Sequence, residues 1–316
     1  MKNKRIVIIE HEGGELANQL WNDLSVYAYC VERGYRLENW SFFEYPGYFA
    51  LRQPNTLVRL LFMPRFKGYT KRKAARYTRA WRKLYKLLVK KPVRFFSKRI
   101  IFSTESGGEV YYLPPTKEAS EKLETLEQSK GTIFFANVSG AVFRNPEGIQ
   151  KHREAIAKRY EPTGGVESRV QEILQPLRER FSTIIGVHVR QGDYKGFKGG
   201  KYWIPQERVR EILDEYLREF KKSAEETCFV ITSDSPIREE IFQGLHIVVS
   251  KETAGVDLFT LAASDALIGS DSTFGHFAAY WANIPHIIMK SGPMDWPYYL
   301  GQTRYTPNKY LSIMPY

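Results

Sequence analysis

Ile184-Ile185-Gly186-Val187-His188-Val189-Arg190-Gln191-Gly192-Asp193-Tyr194 runs an apolar, β-branched stretch straight into a polar turn. Such a run, without polar alternation, reads as a parallel strand buried on both faces. Its surroundings repeat the pattern. Helices are expected over 166–180 and 205–222, and strands over 184–189 and 228–232, followed by a short helix and a strand over 246–249. A helix starting near Asp257, a strand over 266–268, a helix over 273–282 and a last strand over 286–289 complete the series. Strands alternating with helices of this length imply a doubly wound parallel sheet, whose ligands sit beyond the carboxyl ends of the strands. Three polar loops, 190–193, 233–236 and 269–273, fall at those ends and are expected to converge on one crevice.

Upstream the pattern is less regular. Residues 5–10 (RIVIIE) read as a strand that feeds a glycine-containing turn and a helix over 15–33, closed by Gly34. Residues 131–136 read as a further strand, and 41–64 as loops and short pieces. Between 71 and 91, Tyr77, Trp81, Leu84, Tyr85 and Leu88 recur at helical spacing and define one apolar face, with Pro92 expected to stop the helix. Pro162-Thr163-Gly164-Gly165 reads as a linker. With 316 residues, the chain is expected to hold two domains, 1–162 and 163–316, with a basic insertion at about 65–99 in the first.

Charge is concentrated in that insertion. The chain carries a net +12, yet no acidic residue lies between Glu44 and Glu105, a stretch that holds 17 Lys and Arg; the rest is net negative. A basic, aromatic-bearing amphipathic helix suits an anionic membrane surface. The bland alternative is a helix packed on the core by its aromatic stripe. The segment also has the composition of a nucleic-acid binder, but no recognisable RNA- or DNA-binding motif accompanies it, and nucleic acid is not an expected partner. No stretch approaches the roughly 20 apolar residues needed to span a bilayer, so a cytoplasmic protein peripheral at the inner membrane face is expected. Cys30 and Cys228 belong to no CxxC or Cys/His cluster and are expected to be reduced, buried thiols.

The opening stretch resembles the HxRxGDY motif of the fucosyltransferase superfamily, above all the bacterial α-1,2-fucosyltransferases of glycosyltransferase family 11. Three other places agree. Gly13-Gly14-Glu15-Leu16-Ala17-Asn18-Gln19 is similar to the family's N-terminal GGxGNQ loop, and Phe229 to Pro236 (FVITSDSP) to its second motif. Asp257-Leu258 with Ile268 to Gly275 (IGSDSTFG) resembles its third. The likeness covers about residues 6–290, but 41–130 have no counterpart. It implies a GT-B-like α/β fold, two Rossmann-like domains with a cleft between them, and inverting transfer of L-fucose from GDP-fucose to a glycan hydroxyl, with α-1,2 linkage. Another GDP-sugar remains an open alternative, because the motifs grip the nucleotide more than the sugar.

By position, the resemblance implies Arg190 on the β-phosphate and His188 with Asp257 on the guanine edge, where a carboxylate can accept from both N1 and N2. Ser272, Thr273 and Phe274 open a helix whose amides favour phosphate. Gly14 and Asn18 would close over the pyrophosphate and sugar, and Asp234 would meet a ribose hydroxyl. Plainer readings stand beside these: a core histidine at 188, a helix N-cap at Asp257, ordinary capping by Ser272 and Thr273, turn chemistry at Asp234. Gln191 stands where many relatives carry a second Arg. Glu15 replaces a family glycine three residues before Asn18, the relative position of a general base suggested for one protein O-fucosyltransferase branch. It is the candidate base here. No metal and no cofactor are expected, since Arg190 and helix amides would carry the leaving-group charge. The expected partners are the GDP-sugar donor, a glycan acceptor that is lipid-linked if the membrane reading holds, and an anionic membrane.

Overall fold

The computed structural model describes residues 4–10, 15–42, 45–50, 83–96, 100–102, 131–136 and 145–306. The chain divides into two compact units, residues 1–161 and 162–316. Among the described residues, no helix is long and apolar enough to cross a membrane.

In the first unit, β1 (Arg5–Ile8) leads to α1 (Leu16–Arg33) and β2 (Arg36–Asn39). A 3-10 turn (Pro46–Tyr48), a π-helical turn (Lys86–Lys90), α2 (Lys91–Phe96), β3 (Ile100–Phe102), β4 (Thr132–Ala136), α3 (Pro146–Lys151) and α4 (Arg153–Arg159) follow. The four strands pair in parallel in the order β2-β1-β4-β3. Ile6, Ile8, Ile133 and Phe135 meet Val26, Tyr29 and Cys30 of α1 in a closed core. Gly34 ends α1 at φ +63°, a left-handed conformation that glycine adopts without steric cost, and its amide bonds to the carbonyls of Cys30 and Val31.

Two expectations on the basic segment are corrected. Residues 65–82 and 97–99 of it lie outside the described residues, as do Tyr77 and Trp81. Pro92 does not stop the helix: it sits in the first turn of α2, directly after the π-helical turn. The wider i→i+5 spacing just before it relieves the clash between a proline ring and the carbonyl four residues back. The buried side chains are Tyr85 and Val89, with Val93 packed against Val7 and Ile9 of the sheet. Tyr85 also donates to the Ile9 carbonyl at 2.7 Å. Leu84 and Leu88, expected on the same face as Tyr85, are exposed.

In the second unit helices and strands alternate, except that a 3-10 turn (Glu239–Phe242) takes the place of a helix between β6 and β7: α5 (Gly164–Arg180), β5 (Thr183–Val189), α6 (Gln206–Glu219), β6 (Thr227–Ser233), β7 (His246–Val249), α7 (Ala254–Ala262), β8 (Ala266–Gly269), α8 (Thr273–Ala282), β9 (His286–Ile288) and α9 (Trp296–Tyr299). Gly164 and Gly165 are no linker but the first turn of α5, which Thr163 precedes in extended conformation. The sheet is parallel, in the order β7-β6-β5-β8-β9. Its core gathers Ile185, Val187, Phe229, Ile231 and Ile268 from the strands with Val209, Ile212, Leu213 and Tyr216 from α6. After β5 the chain first adds strands on one side, then returns to add β8 on the other. The topological switch therefore falls between β5 and β8, where such sheets open a crevice.

Candidate functional site

Register sets the site's floor. His188 on β5 stands opposite Thr232 on β6 and Gly269 on β8, one layer below the strand ends. Its imidazole is fully buried, with Nδ1 3.2 Å from the Thr232 hydroxyl and its ring 5.0 Å from that of Phe274. Nε2 is buried without a partner. Burial foremost, with the neighbouring Arg190 charge adding to it, lowers the imidazole to about 4, so it is neutral at physiological pH. Gly269 leaves this layer open: a Cβ there would come within 3.4 Å of His188 Cβ and 3.0 Å of Leu267.

Arg190 is the first residue beyond β5. Its amide donates to the Ser270 hydroxyl at 3.0 Å, which ties the loops after β5 and β8 across the switch point. Its guanidinium is partly exposed and lies between two carboxylates. Nε and Nη2 each stand 2.9 Å from Asp193 Oδ1, Nε lies 3.1 Å from Asp234 Oδ2, and the cation sits 5.6 Å over the Tyr194 ring. Tyr194 stitches the same two loops again, donating at 2.8 Å to the Asp271 carbonyl; burial pushes its phenol up to about 12.

Asp234 holds the neighbouring loop. Its Oδ1 accepts the amides of Gln191 at 2.8 Å and Gly192 at 3.1 Å, and its Oδ2 meets Arg190. Partial burial alone would raise this carboxyl, but the two amides and the Arg190 charge outweigh that and hold it below the usual range. The structure thus gives Asp234 the role of shaping the 190–193 loop. Gly192 is required there, since a Cβ would approach Asp234 Oδ2 to 2.8 Å. Gln191 is likewise turned away from any anion: it donates to the Ile204 carbonyl and accepts from Trp203 Nε1.

Ser272 caps α8, its hydroxyl accepting from the Phe274 amide at 3.3 Å. Thr273 and Phe274 form the first turn, where helical amides lack intrahelical acceptors and the dipole attracts an anion. Asp257 is not the N-cap of α7. Thr253 fills that place, accepting from Val256. Asp257 sits one turn in, partly exposed, with Oδ1 accepting from Ser250 at the end of β7. Beneath α8, the buried His276 and His286 rings meet at 3.2 Å between their Nδ1 atoms, and burial lowers both.

The structure thus brings His188, Arg190, Asp234, Ser272, Thr273 and Phe274 together at one end of the second sheet, with Asp257 on the helix packed over β5 and β6. Glu15 and Asn18 belong to the first unit, at the start of α1; both are exposed, and Tyr45 donates to Glu15 Oε2 at 2.8 Å. Gly14 lies outside the described residues. Sequence reasoning assigned nothing to Tyr194 or Ser270 individually, although both stand inside the quoted motifs; for Asp193 it offered the plain reading of a surface pair with Arg190, and the two do pair. A separate cavity at the amino ends of β5 and β8, among Thr183, Lys222, Asp265 and Tyr299, holds none of the expected residues.

The family model for glycosyl transferase family 11 matches residues 151–295. Among solved structures, FUT1 of Arabidopsis thaliana in complex with GDP is similar over 93% of this chain and 72% of that one, at 12% identity and a TM-score of 0.54. Fucosyltransferase NodZ from Bradyrhizobium is similar over 93% and 97% of the two chains, at 13% identity and a TM-score of 0.51. No curated protein matches the chain. At these identities the structural likeness establishes the fold, which is GT-B-like, while the family match rests on the unit that carries the crevice. The chain is a glycosyltransferase whose residues 151–295 form a glycosyl transferase family 11 domain.

Proposed function

We propose that this glycosyltransferase moves L-fucose from GDP-fucose to a glycan hydroxyl with inversion, forming an α-1,2 linkage. One observation carries the reading: a single guanidinium, Arg190, stands at the carboxyl end of β5, beside the switch point and the first turn of α8. When the bond from the sugar's anomeric carbon to the diphosphate breaks, charge develops on the β-phosphate. In this reading Arg190 and the N-terminal dipole of α8 receive it, which does the work a divalent cation does elsewhere. Gln191, being engaged with Trp203 and Ile204, adds no second cation.

In this reading neutral His188 offers its unpartnered Nε2 to the nucleotide, and Asp257 accepts from the guanine N1 and N2 donors. Asp234 and Tyr194 hold the loop that presents Arg190. The acceptor hydroxyl attacks the anomeric carbon as GDP departs, and Glu15 is the proposed acceptor of its proton. Support for fucose comes from the family match, and support for a guanine nucleotide from a similar structure solved with GDP.

A thermal-shift panel of GDP, GDP-fucose, UDP and ADP tests the nucleotide first. GDP and GDP-fucose should raise the melting temperature while UDP and ADP leave it unchanged; equal shifts by all four would remove the guanine reading. Arg190→Ala should then lower kcat by roughly 100- to 1,000-fold, the usual cost of losing one charge-stabilising donor. Activity abolished by EDTA and restored by Mn²⁺ would overturn the metal-independent form of the proposal.

A further inference from the structure

The stretch from Lys83 to Phe96 has two faces with different fates. Tyr85, Val89 and Val93 point into the first unit, and Lys90 turns inward to pair with Glu10, so this face is anchored. The other face carries large apolar side chains in water. Leu87 is 57% exposed, Leu88 56%, Phe95 84% and Phe96 81%, with the two phenyl rings edge to face at 5.0 Å. Because Tyr85 is bonded to Ile9 and Lys90 to Glu10, the segment cannot roll to bury them. Lys83, Lys86 and Lys91 are exposed alongside. Apart from the anchored Tyr85, every polar side chain from 83 to 96 is a cation, and no acidic residue occurs between Glu44 and Glu105.

We propose that this face docks on an anionic lipid bilayer, with Leu87, Leu88, Phe95 and Phe96 entering the interface and Lys83, Lys86 and Lys91 meeting lipid phosphates. Charge complementarity selects the occupant. A protein interface has a polar rim of mixed character, whereas the exposed charged side chains described in this segment, Lys83, Lys86 and Lys91, are all cations. RNA would attract the lysines and could stack on the phenyl rings, but it offers nothing to two leucines. Apolar side chains beside cations of one sign match the boundary between acyl chains and anionic headgroups. The inference is independent of the donor reading. It also revises the sequence-based picture, in which the Tyr85 face would have met the membrane: that face is the one turned to the core.

The test uses the full chain, without nucleotide, in flotation against phosphatidylcholine vesicles and vesicles that also contain phosphatidylglycerol. Wild type should float with the anionic vesicles and not with the neutral ones, and less well as salt rises. Phe95→Ser with Phe96→Ser, and separately Leu87→Ser with Leu88→Ser, should each weaken binding by roughly tenfold or more at unchanged salt dependence. Replacing Lys83, Lys86 and Lys91 by Gln should weaken it by roughly 100-fold and flatten the salt dependence. All of these side chains are exposed, so melting temperatures should stay at the wild-type value. Failure of wild type to float with anionic vesicles, flotation unaffected by both apolar double variants, or retardation of RNA without vesicle binding would each overturn the proposal.

Discussion

At the scale of single residues, the second unit keeps three imidazoles uncharged where charge would be costly. His188 titrates at about 4 in the fold and near 6.5 unfolded, with His276 and His286 displaced in the same direction. The unfolded chain therefore binds protons that the folded one refuses. Stability should be fully present above pH 6.5 and fall as pH drops towards 4, His188 alone accounting for about 3 kcal/mol. Asp234 is also displaced downward, but as a carboxylate it is thereby held charged, and its contribution is lost only as pH falls through its depressed folded value. Urea unfolding at pH 7 and pH 4.5 should show the loss, and His188→Gln should shrink the difference between the two. A variant whose difference equals that of wild type would show that His188 titrates normally.

At the scale of elements, two caps on neighbouring helices separate structure from function. Thr253→Ala at α7 and Ser272→Ala at α8 each remove one capping bond, at about 1 kcal/mol. Only the second opens the helix whose first turn stands beside His188, so Ser272→Ala should weaken GDP binding more than Thr253→Ala does; calorimetric titration with GDP distinguishes them. These helices, and the strands before them, were legible because a strand buried on both faces writes an unbroken apolar run. β2 was not: Glu38 lies within it, 1% exposed, neutralised by Arg5 and Arg36 and by a hydrogen bond from Trp40. A buried carboxylate looks like a turn residue until its partners are adjacent in space. β3 is only three residues long and follows a run of cations. The site divides in the same way. His188, Arg190 and Ser272 stand at strand ends and a helix start, which periodicity locates. Asp234's grip on Gln191 and Gly192 spans more than 40 residues and exists only because β5 and β6 are neighbours.

At the scale of the molecule, each unit has its own core and one buried thiol, Cys30 under the first sheet and Cys228 on β6. Burial raises both thiols, Cys228 to about 11, so labelling at neutral pH requires opening. The thiols therefore act as separate reporters for the two units. GDP at about 100 times its dissociation constant should slow Cys228 labelling by roughly 100-fold, with Cys30 as the internal reference. Equal labelling rates of Cys228 with and without GDP would mean that the second unit does not hold the nucleotide.

The carboxylates beside Arg190 have one more effect. A bare guanidinium at the end of a parallel sheet would collect chloride, sulfate or free phosphate from solution, and a larger ligand would have to evict them. Here Asp193 and Asp234 already satisfy the cation, so a small anion gains little by entering. A ligand that spreads several charged oxygens over the arginine and the helix amides together can outcompete them. If Arg190 holds the donor's diphosphate as proposed, the acidic escorts filter by valence and keep the site open in a salty medium.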